Sequence, residues 1–254
     1  MHITQGPQFN GKASKRLHVM AKPIGAACNI DCTYCYYLSK QDLLEYKQGC
    51  SPIMDDETLE SYIRQYIEGQ NTPEIIFSWQ GGEPTMLGLD YFKRIVELQD
   101  KYRPHGITIS NDLQTNGTLL NDEWCEFLKA NHFLVGLSID GPEMMHNAYR
   151  TNRAGRGTFK QVMNAVELLN KHEVKFATLT CVNNLTSRNP LEVYRFLRDE
   201  VCSPQMQFIP IVEQKTFRTT APQTWKPNEQ LMQGDKRLIP GHKDSAVEPF
   251  CVAD

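Results

Sequence analysis

The chain has 254 residues, 40% of them hydrophobic, which is enough for one large domain, or one domain with a tail. A net charge of −3, with Lys and Arg scattered, gives no electrostatic case for nucleic acid or an anionic membrane surface. Eight cysteines are too sparse for a disulfide scaffold, the polar stretch from Met1 to Arg16 lacks the apolar core of a secretory signal, and no apolar run reaches membrane-spanning length. The expectation is a protein of the reducing cytoplasm with no membrane partner.

Residues 1–16 read as an irregular lead-in. Residues 17–22 (Leu-His-Val-Met-Ala-Lys) read as a first strand closed by Pro23. A helix is predicted from Asp55 to Gly69, with Leu59, Tyr62, Ile63, Tyr66 and Ile67 on one face and glycine as its stop. Glu74 to Trp79 reads as a short buried strand, 88–102 as a helix, and Ile107 to Leu113 as a third strand. Asn121 caps a helix carrying Trp124, Phe127 and Leu128, and Phe133 to Ile139 is a fourth strand. Thr158 is expected to cap a helix with Phe159, Val162, Met163, Val166 and Leu169 at helical spacing. Val174 to Val182 is a fifth strand. Asn189-Pro190 starts another helix, with proline at its tolerated first position, and Met206 to Val212 is a sixth strand. From about residue 214 the pattern decays, so 214–254 reads as an irregular tail, with the last helix absent or incomplete.

Alternating strands and helices imply an α/β fold with a parallel sheet. The strands look almost continuously apolar, as a sheet covered on both faces requires. An open doubly wound sheet and a barrel both fit, and in both the chemistry gathers at the carboxyl ends of the strands. The unusual residues fall there: Cys28–Cys35, Gln80–Pro84, Gln114–Gly117, Ser138–Gly141, Asn183–Asn184 and Pro210–Glu213 each follow a strand.

Cys28, Cys32 and Cys35 sit in one loop just past the first strand. Their spacing suits the thiolate ligands of an iron–sulfur cluster, with one iron left open to a small molecule. Structural zinc would need a fourth ligand, usually in a second pair, and none is visible. Cys50, Cys125, Cys181, Cys202 and Cys251 are isolated and read as small buried side chains. Gly81-Gly82-Glu83-Pro84 by itself reads as a turn. Beside an open iron, its glycine backbone could cradle an amine, and Glu83 could accept from it.

The Cys-x3-Cys-x2-Cys loop with Tyr34 before its last cysteine resembles the radical S-adenosylmethionine superfamily, and Gly81–Pro84 resembles that family's methionine-binding motif. Lys22-Pro23-Ile24-Gly25, Cys35-Tyr36-Tyr37-Leu38, Phe77-Ser78-Trp79-Gln80, Gln114-Thr115-Asn116-Gly117, Leu137–Pro142, Gly157-Thr158-Phe159 and Phe208–Glu213 resemble the anaerobic sulfatase-maturating enzymes in particular. The resemblance covers roughly residues 17–213 as a core domain. It implies a partial (β/α)6 barrel that binds a 4Fe-4S cluster and S-adenosylmethionine. One electron would split the cofactor into a 5′-deoxyadenosyl radical. That radical would oxidise a Cys or Ser of a sulfatase peptide to formylglycine, with an electron donor such as flavodoxin or ferredoxin. Cys28, Cys32 and Cys35 would hold the cluster. Tyr34, Gly81, Gly82, Glu83, Ser138, Arg150 and Ile211 would meet S-adenosylmethionine, and Tyr37 and Gln80 would face the substrate. The plainer readings are core packing for Tyr34 and Ile211, a solvated Arg150, a turn-capping Ser138, a Tyr37 that shields the cluster and a Gln80 that satisfies a neighbouring backbone. His132, His146 and His172 lack metal spacing and read as surface or core.

The family continues into a region with two auxiliary clusters and a base, whereas only Cys251 follows Cys202 here. The expectation is therefore a fragment, a truncated product or a core-only variant. The alternatives to sulfatase maturation are another peptide-modifying radical enzyme, forming thioethers or cross-links, and a non-catalytic iron–sulfur protein.

Overall fold

The computed structural model describes residues 12–13, 16–35, 37 and 53–211. The expected tail at 214–254, Val212, Cys50, Cys251 and any helix after the last strand lie outside the described residues, as does most of the lead-in. The elements run β1 (Met20–Ala21), α1 (Asp56–Gly69), β2 (Glu74–Trp79), α2 (Leu89–Tyr102), β3 (Thr108–Thr115), α3 (Asp122–Ala130), β4 (Leu134–Ser138), α4 (Glu143–Tyr149), α5 (Phe159–Lys171), β5 (Phe176–Val182), α6 (Asn184–Arg188), α7 (Pro190–Asp199) and β6 (Met206–Pro210). A 3₁₀ turn, Pro84–Leu87, follows β2.

The six strands are all parallel and lie side by side in chain order. Parallel crossovers are right-handed, so an order without reversal puts every connecting helix on the same face. A doubly wound sheet needs a reversal, and this sheet has none. The structure is thus the partial six-stranded βα barrel, with β1 and β6 unpaired to each other and the sheet left open.

On the helical face lies one apolar core. Ile75, Phe77, Trp79, Leu113, Val135, Leu137 and Phe176 of the strands pack against Phe92, Trp124, Leu128, Val162, Leu169 and Phe196 of the helices. The opposite face corrects the expectation of near-continuous apolar strands. Asn111, Leu113 and Thr115 of β3 are buried, while Ser110, Asp112 and Gln114 between them are half-buried. In β3 the half-buried polar residues share the face away from the helical core, and Gln114 at its carboxyl end lines the cavity.

Several boundaries also move for local reasons. The first strand shrinks from 17–22 to two residues because side chains of α1 take the ladder's place. Tyr66 Oη donates to the Leu17 carbonyl at 2.9 Å, and Gln70 Nε2 donates to the same oxygen at 2.6 Å. Asp55 and Asn121 cap α1 and α3 through their side chains. Thr158 is the N-cap residue of α5, as expected, but its side chain makes no capping bond. Asn147 of α4 accepts from the Phe159 N–H at 3.0 Å instead, and the Thr158 hydroxyl is spent elsewhere. Sequence periodicity missed α4 and α6, which span only two turns or fewer.

Phe92 sits at the centre of the aromatic core, fully buried, with Trp124, Phe133 and Trp79 rings 5.2, 6.3 and 6.5 Å away. Phe92→Ala is expected to cost about 3–5 kcal/mol, read as a lower urea midpoint at unchanged slope.

Candidate active site

A cavity of about 320 Å³ opens at the carboxyl ends of the strands. The loop Cys28–Cys35 forms one wall. It is pinned from the far side of the chain: the Asp31 N–H donates to the Thr151 carbonyl at 2.7 Å, and the Thr33 N–H to the Tyr149 carbonyl at 3.1 Å. Arg153 Nη2 donates to the Cys28 carbonyl at 2.8 Å. Asn116, after β3, donates through Nδ2 to Asn29 Oδ1 at 2.8 Å, and Asn29 Nδ2 in turn donates to Thr118 Oγ1 at 2.8 Å. Cys28, Cys32 and Cys35 all line the cavity.

The glycine turn is a docking device. A Cβ on Gly82 would stand 1.9 Å from the Ala27 carbonyl oxygen and 2.7 Å from the Ala26 carbonyl carbon, which are backbone atoms that cannot swing aside. The Gly82 N–H donates to the Gly25 carbonyl and the Glu83 N–H to the Ala27 carbonyl, each at 2.8 Å. Those two N–H groups are spent on the chain itself. Glu83 is fully buried and stands behind the cavity wall. Its Oε1 accepts from Thr85 N, Thr85 Oγ1 and Thr115 Oγ1, and its Oε2 from Asn116 N at 2.7 Å. The carboxylate therefore ties the turn after β2 to the turn after β3. Burial pushes its pKa up, while these neutral donors pull the other way without winning.

Asp140, just past β4, is the second fully buried carboxylate. Arg150 grips it side-on, Nε to Oδ2 at 2.9 Å and Nη2 to Oδ1 at 3.1 Å, and the Tyr34 hydroxyl donates to Oδ2. Burial would raise this carboxyl, but the Arg150 charge and its hydrogen bonds outweigh burial and hold it below the usual carboxylate range. Both carboxylates accept from neutral donors, and what Asp140 has and Glu83 lacks is a fork from a full positive charge.

His146 joins the same unit. Its Nδ1 accepts from the Asp140 N–H at 3.4 Å, which leaves Nε2–H to donate to Thr158 Oγ1 at 3.0 Å. Thr158 Oγ1 donates onward to the Arg150 carbonyl at 3.0 Å. Burial, then the Arg150 charge, push the His146 pKa down to about 4.

The thiols fit a cluster of irons. Among the described residues, no three Cys, His, Asp or Glu side chains crowd closely enough to hold one ion. In a cluster the thiolates bind the irons of one larger body. Burial pushes Cys28 up to about 11 and Cys32 up to about 12, so metal charge is what would keep them ionised.

Tyr34, Tyr37, Gln80, Gly81, Gly82, Ser138, Arg150 and Ile211 line the same cavity as the three cysteines. Lys22 Nζ lies 4.0 Å above the centre of the Tyr37 ring at its edge. Sequence reasoning placed Gln114, Asn116 and Asp140 at the strand ends and read His146 as surface or core and Cys181 as a small buried side chain, but assigned none of the five a cofactor, metal or substrate contact. The spacing of Asp140, His146 and Arg150 carried a signal, because the latter two are four residues apart on one helix face.

An open parallel βα barrel with three thiols on one cavity at its rim defines an α/β protein with a ligand-sized site at the strand ends. The family model described as the radical SAM superfamily matches residues 23–197, and the chain belongs to that superfamily. It is 48% identical over 200 residues to a serine-type anaerobic sulfatase-maturating enzyme of Bacteroides thetaiotaomicron, covering 79% of this chain and 47% of that one. It is 41% identical over 184 residues to a cysteine-type anaerobic sulfatase-maturating enzyme of Clostridium perfringens, covering 72% and 49%. The solved structure of anSMEcpe with bound AdoMet superposes with a TM-score of 0.68 at 40% identity, covering 75% of this chain and 50% of that one. A structure of that enzyme with AdoMet and the Kp18Cys peptide superposes at 0.67. The chain spans about half the length of the relatives it matches.

Gly82→Ala is expected to lose about 1–3 kcal/mol of stability and to impair iron uptake, because the backbone contact must open. Gly69→Ala, where a Cβ meets open space, serves as the control in both thermal unfolding and iron analysis. His146 has a folded pKa below its unfolded value of about 6.5. The stability it contributes is therefore complete above that unfolded value and is lost as pH falls toward about 4. Between pH 7 and pH 4 the wild type should lose about 3 kcal/mol more than His146→Asn, measured by urea unfolding at each pH.

Proposed function

We propose that this chain is the cluster- and cofactor-binding part of a radical S-adenosylmethionine oxidoreductase of the sulfatase-maturating type. One observation carries the reading: three thiols, the glycine turn and a buried arginine meet on a single cavity at the strand ends. The similarity to serine- and cysteine-type maturases supports the substrate class, a Cys- or Ser-containing sulfatase peptide oxidised to formylglycine.

Cys28, Cys32 and Cys35 would hold a 4Fe-4S cluster, and three thiolates leave one iron open. With S-adenosylmethionine bound there, the pair supplies one-electron cleavage and a hydrogen-abstracting radical. The chain's own residues bind and shield. Gly81 and the Tyr34 ring form the wall beside the cysteines. Arg150 offers a cation to the cofactor's carboxylate, Ser138 a hydroxyl to its polar groups, and Ile211 an apolar surface to its adenine. Glu83 acts from behind, by fixing the turn that carries Gly81 and Gly82. Tyr37 and Gln80, which line the same cavity, would face the peptide side chain. A flavodoxin- or ferredoxin-type donor and a reducing cytoplasm belong to the same reading, since the cluster must be reduced and kept from oxygen.

Anaerobic reconstitution with iron and sulfide is expected to give a brown protein with about four irons per chain. Dithionite and S-adenosylmethionine should then yield 5′-deoxyadenosine, and Cys32→Ala should abolish both colour and product. Mass spectrometry of Cys- and Ser-containing sulfatase peptides, supplied with the protein, would show an aldehyde. A bridged product in its place would mark a different peptide modification. A colourless protein with no cofactor cleavage would overturn the reading.

A further inference from the structure

The Asp140–Arg150 pair is built differently from a simple brace between loops. Four donors reach one carboxylate from three separate elements. Arg150 comes from the end of α4, Tyr34 from the cysteine loop, and the Cys181 N–H, at 2.9 Å from Oδ1, from β5. Both residues of the pair are buried, Asp140 at 0% and Arg150 at 6% exposure, yet Arg150 lines the cavity. Its backbone is held as well, by the Thr158 hydroxyl on its carbonyl and by its N–H on the His146 carbonyl at 2.9 Å. The Tyr34 ring lies beneath the guanidinium, with Cζ 5.6 Å from its centre. A guanidinium gripped side-on through Nε and Nη2, with Nη2 also donating to Cys181 Sγ at 3.8 Å, has one nitrogen left outside these contacts, Nη1.

We propose that Asp140 is the positioning residue of this pocket: by fixing Nε and Nη2 of Arg150 and the hydroxyl of Tyr34, it presents Nη1 as a single aimed donor to the carboxylate of the cofactor's amino-acid part. The proposal rests on the radical S-adenosylmethionine reading above. Packing alone does not account for the pair, since apolar residues of the same volume fill such a space at no loss of stability. A charged fork at a cavity wall instead fixes direction. Asp140 is fully buried and does not line the cavity, whereas Arg150 and Tyr34 do, so it would act through them.

The test compares wild type, Asp140→Asn and Asp140→Glu, each reconstituted with iron and sulfide under anaerobic conditions. Asp140→Asn leaves a buried cation unpaired and is open to misfolding. Asp140→Glu keeps the charge paired and displaces it by one methylene. Iron content and thermal unfolding report the fold and the cluster. Calorimetric titration with S-adenosylmethionine gives the affinity, and the change in the reduced cluster's EPR spectrum on cofactor addition gives its docking. The expected result is full iron in Asp140→Glu, with S-adenosylmethionine bound about tenfold or more weakly and the EPR change reduced, as the loss of one charge-assisted hydrogen bond requires. Asp140→Asn, where it folds, should bind as weakly or more weakly. Asp140→Glu binding within about twofold of wild type would show that charge suffices and overturn the positioning role. Iron lost in step with affinity, or failure of both variants to fold, would make Asp140 a structural brace and overturn it too. A wild type that takes up iron but binds no S-adenosylmethionine would overturn the functional reading itself, and this inference with it.

Discussion

A contact between two stretches of bare backbone sets the geometry of this protein. Gly81 and Gly82 leave β2 and press against Gly25–Ala27, the segment that delivers the cysteine loop. Two N–H···O bonds of 2.8 Å hold the contact, and no side chain fits between the strands of chain. Because β1 is only two residues long, the sheet alone could not fix the loop it launches. The glycine contact does so, and Glu83 extends it to β3 through Thr115 and Asn116. The cysteines are thereby referred to three neighbouring strands at once.

Two buried carboxylates divide the remaining work, and their surroundings explain the division. Glu83 is held by neutral donors, and burial still raises its pKa. Asp140 is held by a guanidinium and stays ionised against the same burial. The first joins backbone turns, and the second aims a cation at the cavity. The two-turn helix α4 makes the second arrangement possible by returning the chain from Asp140 to Arg150, with His146 stapling its start to Thr158. That Thr158 serves Arg150 and leaves the capping bond of α5 to Asn147 shows local helix chemistry yielding to the site.

The polar inner face has a similar origin. Ser78 donates to Asp112 Oδ2, its register partner across β2 and β3, and pairs with His18 Nε2 at 2.7 Å. A closed and packed barrel would have filled that face with apolar side chains. Here its carboxyl end borders the cavity, and β3 carries polar residues at alternate positions. The expectation of almost continuous apolar strands failed for this reason. Ile-Ile-Phe in β2 invited it, while Ser110, Asp112 and Gln114 in β3 already spoke against it.

Much of the architecture was legible in the chain. Strand and helix order followed from hydrophobic period, since each element buries a face whose spacing the backbone dictates. β2 was placed to the residue, and Asn121 caps α3 as its chemistry suggests. The cysteine spacing pointed to metal chemistry, because the three thiols share one short loop. What the sequence could not show was which polar residues meet across the sheet. Asp140 and Tyr34 lie 106 residues apart, and Glu83 and Asn116 lie 33 apart. Whether a carboxylate faces a ligand or a neighbouring turn depends on which donors fold onto it, and hydrogen bonds of about 3 Å between distant segments exist only once the sheet has brought those segments together.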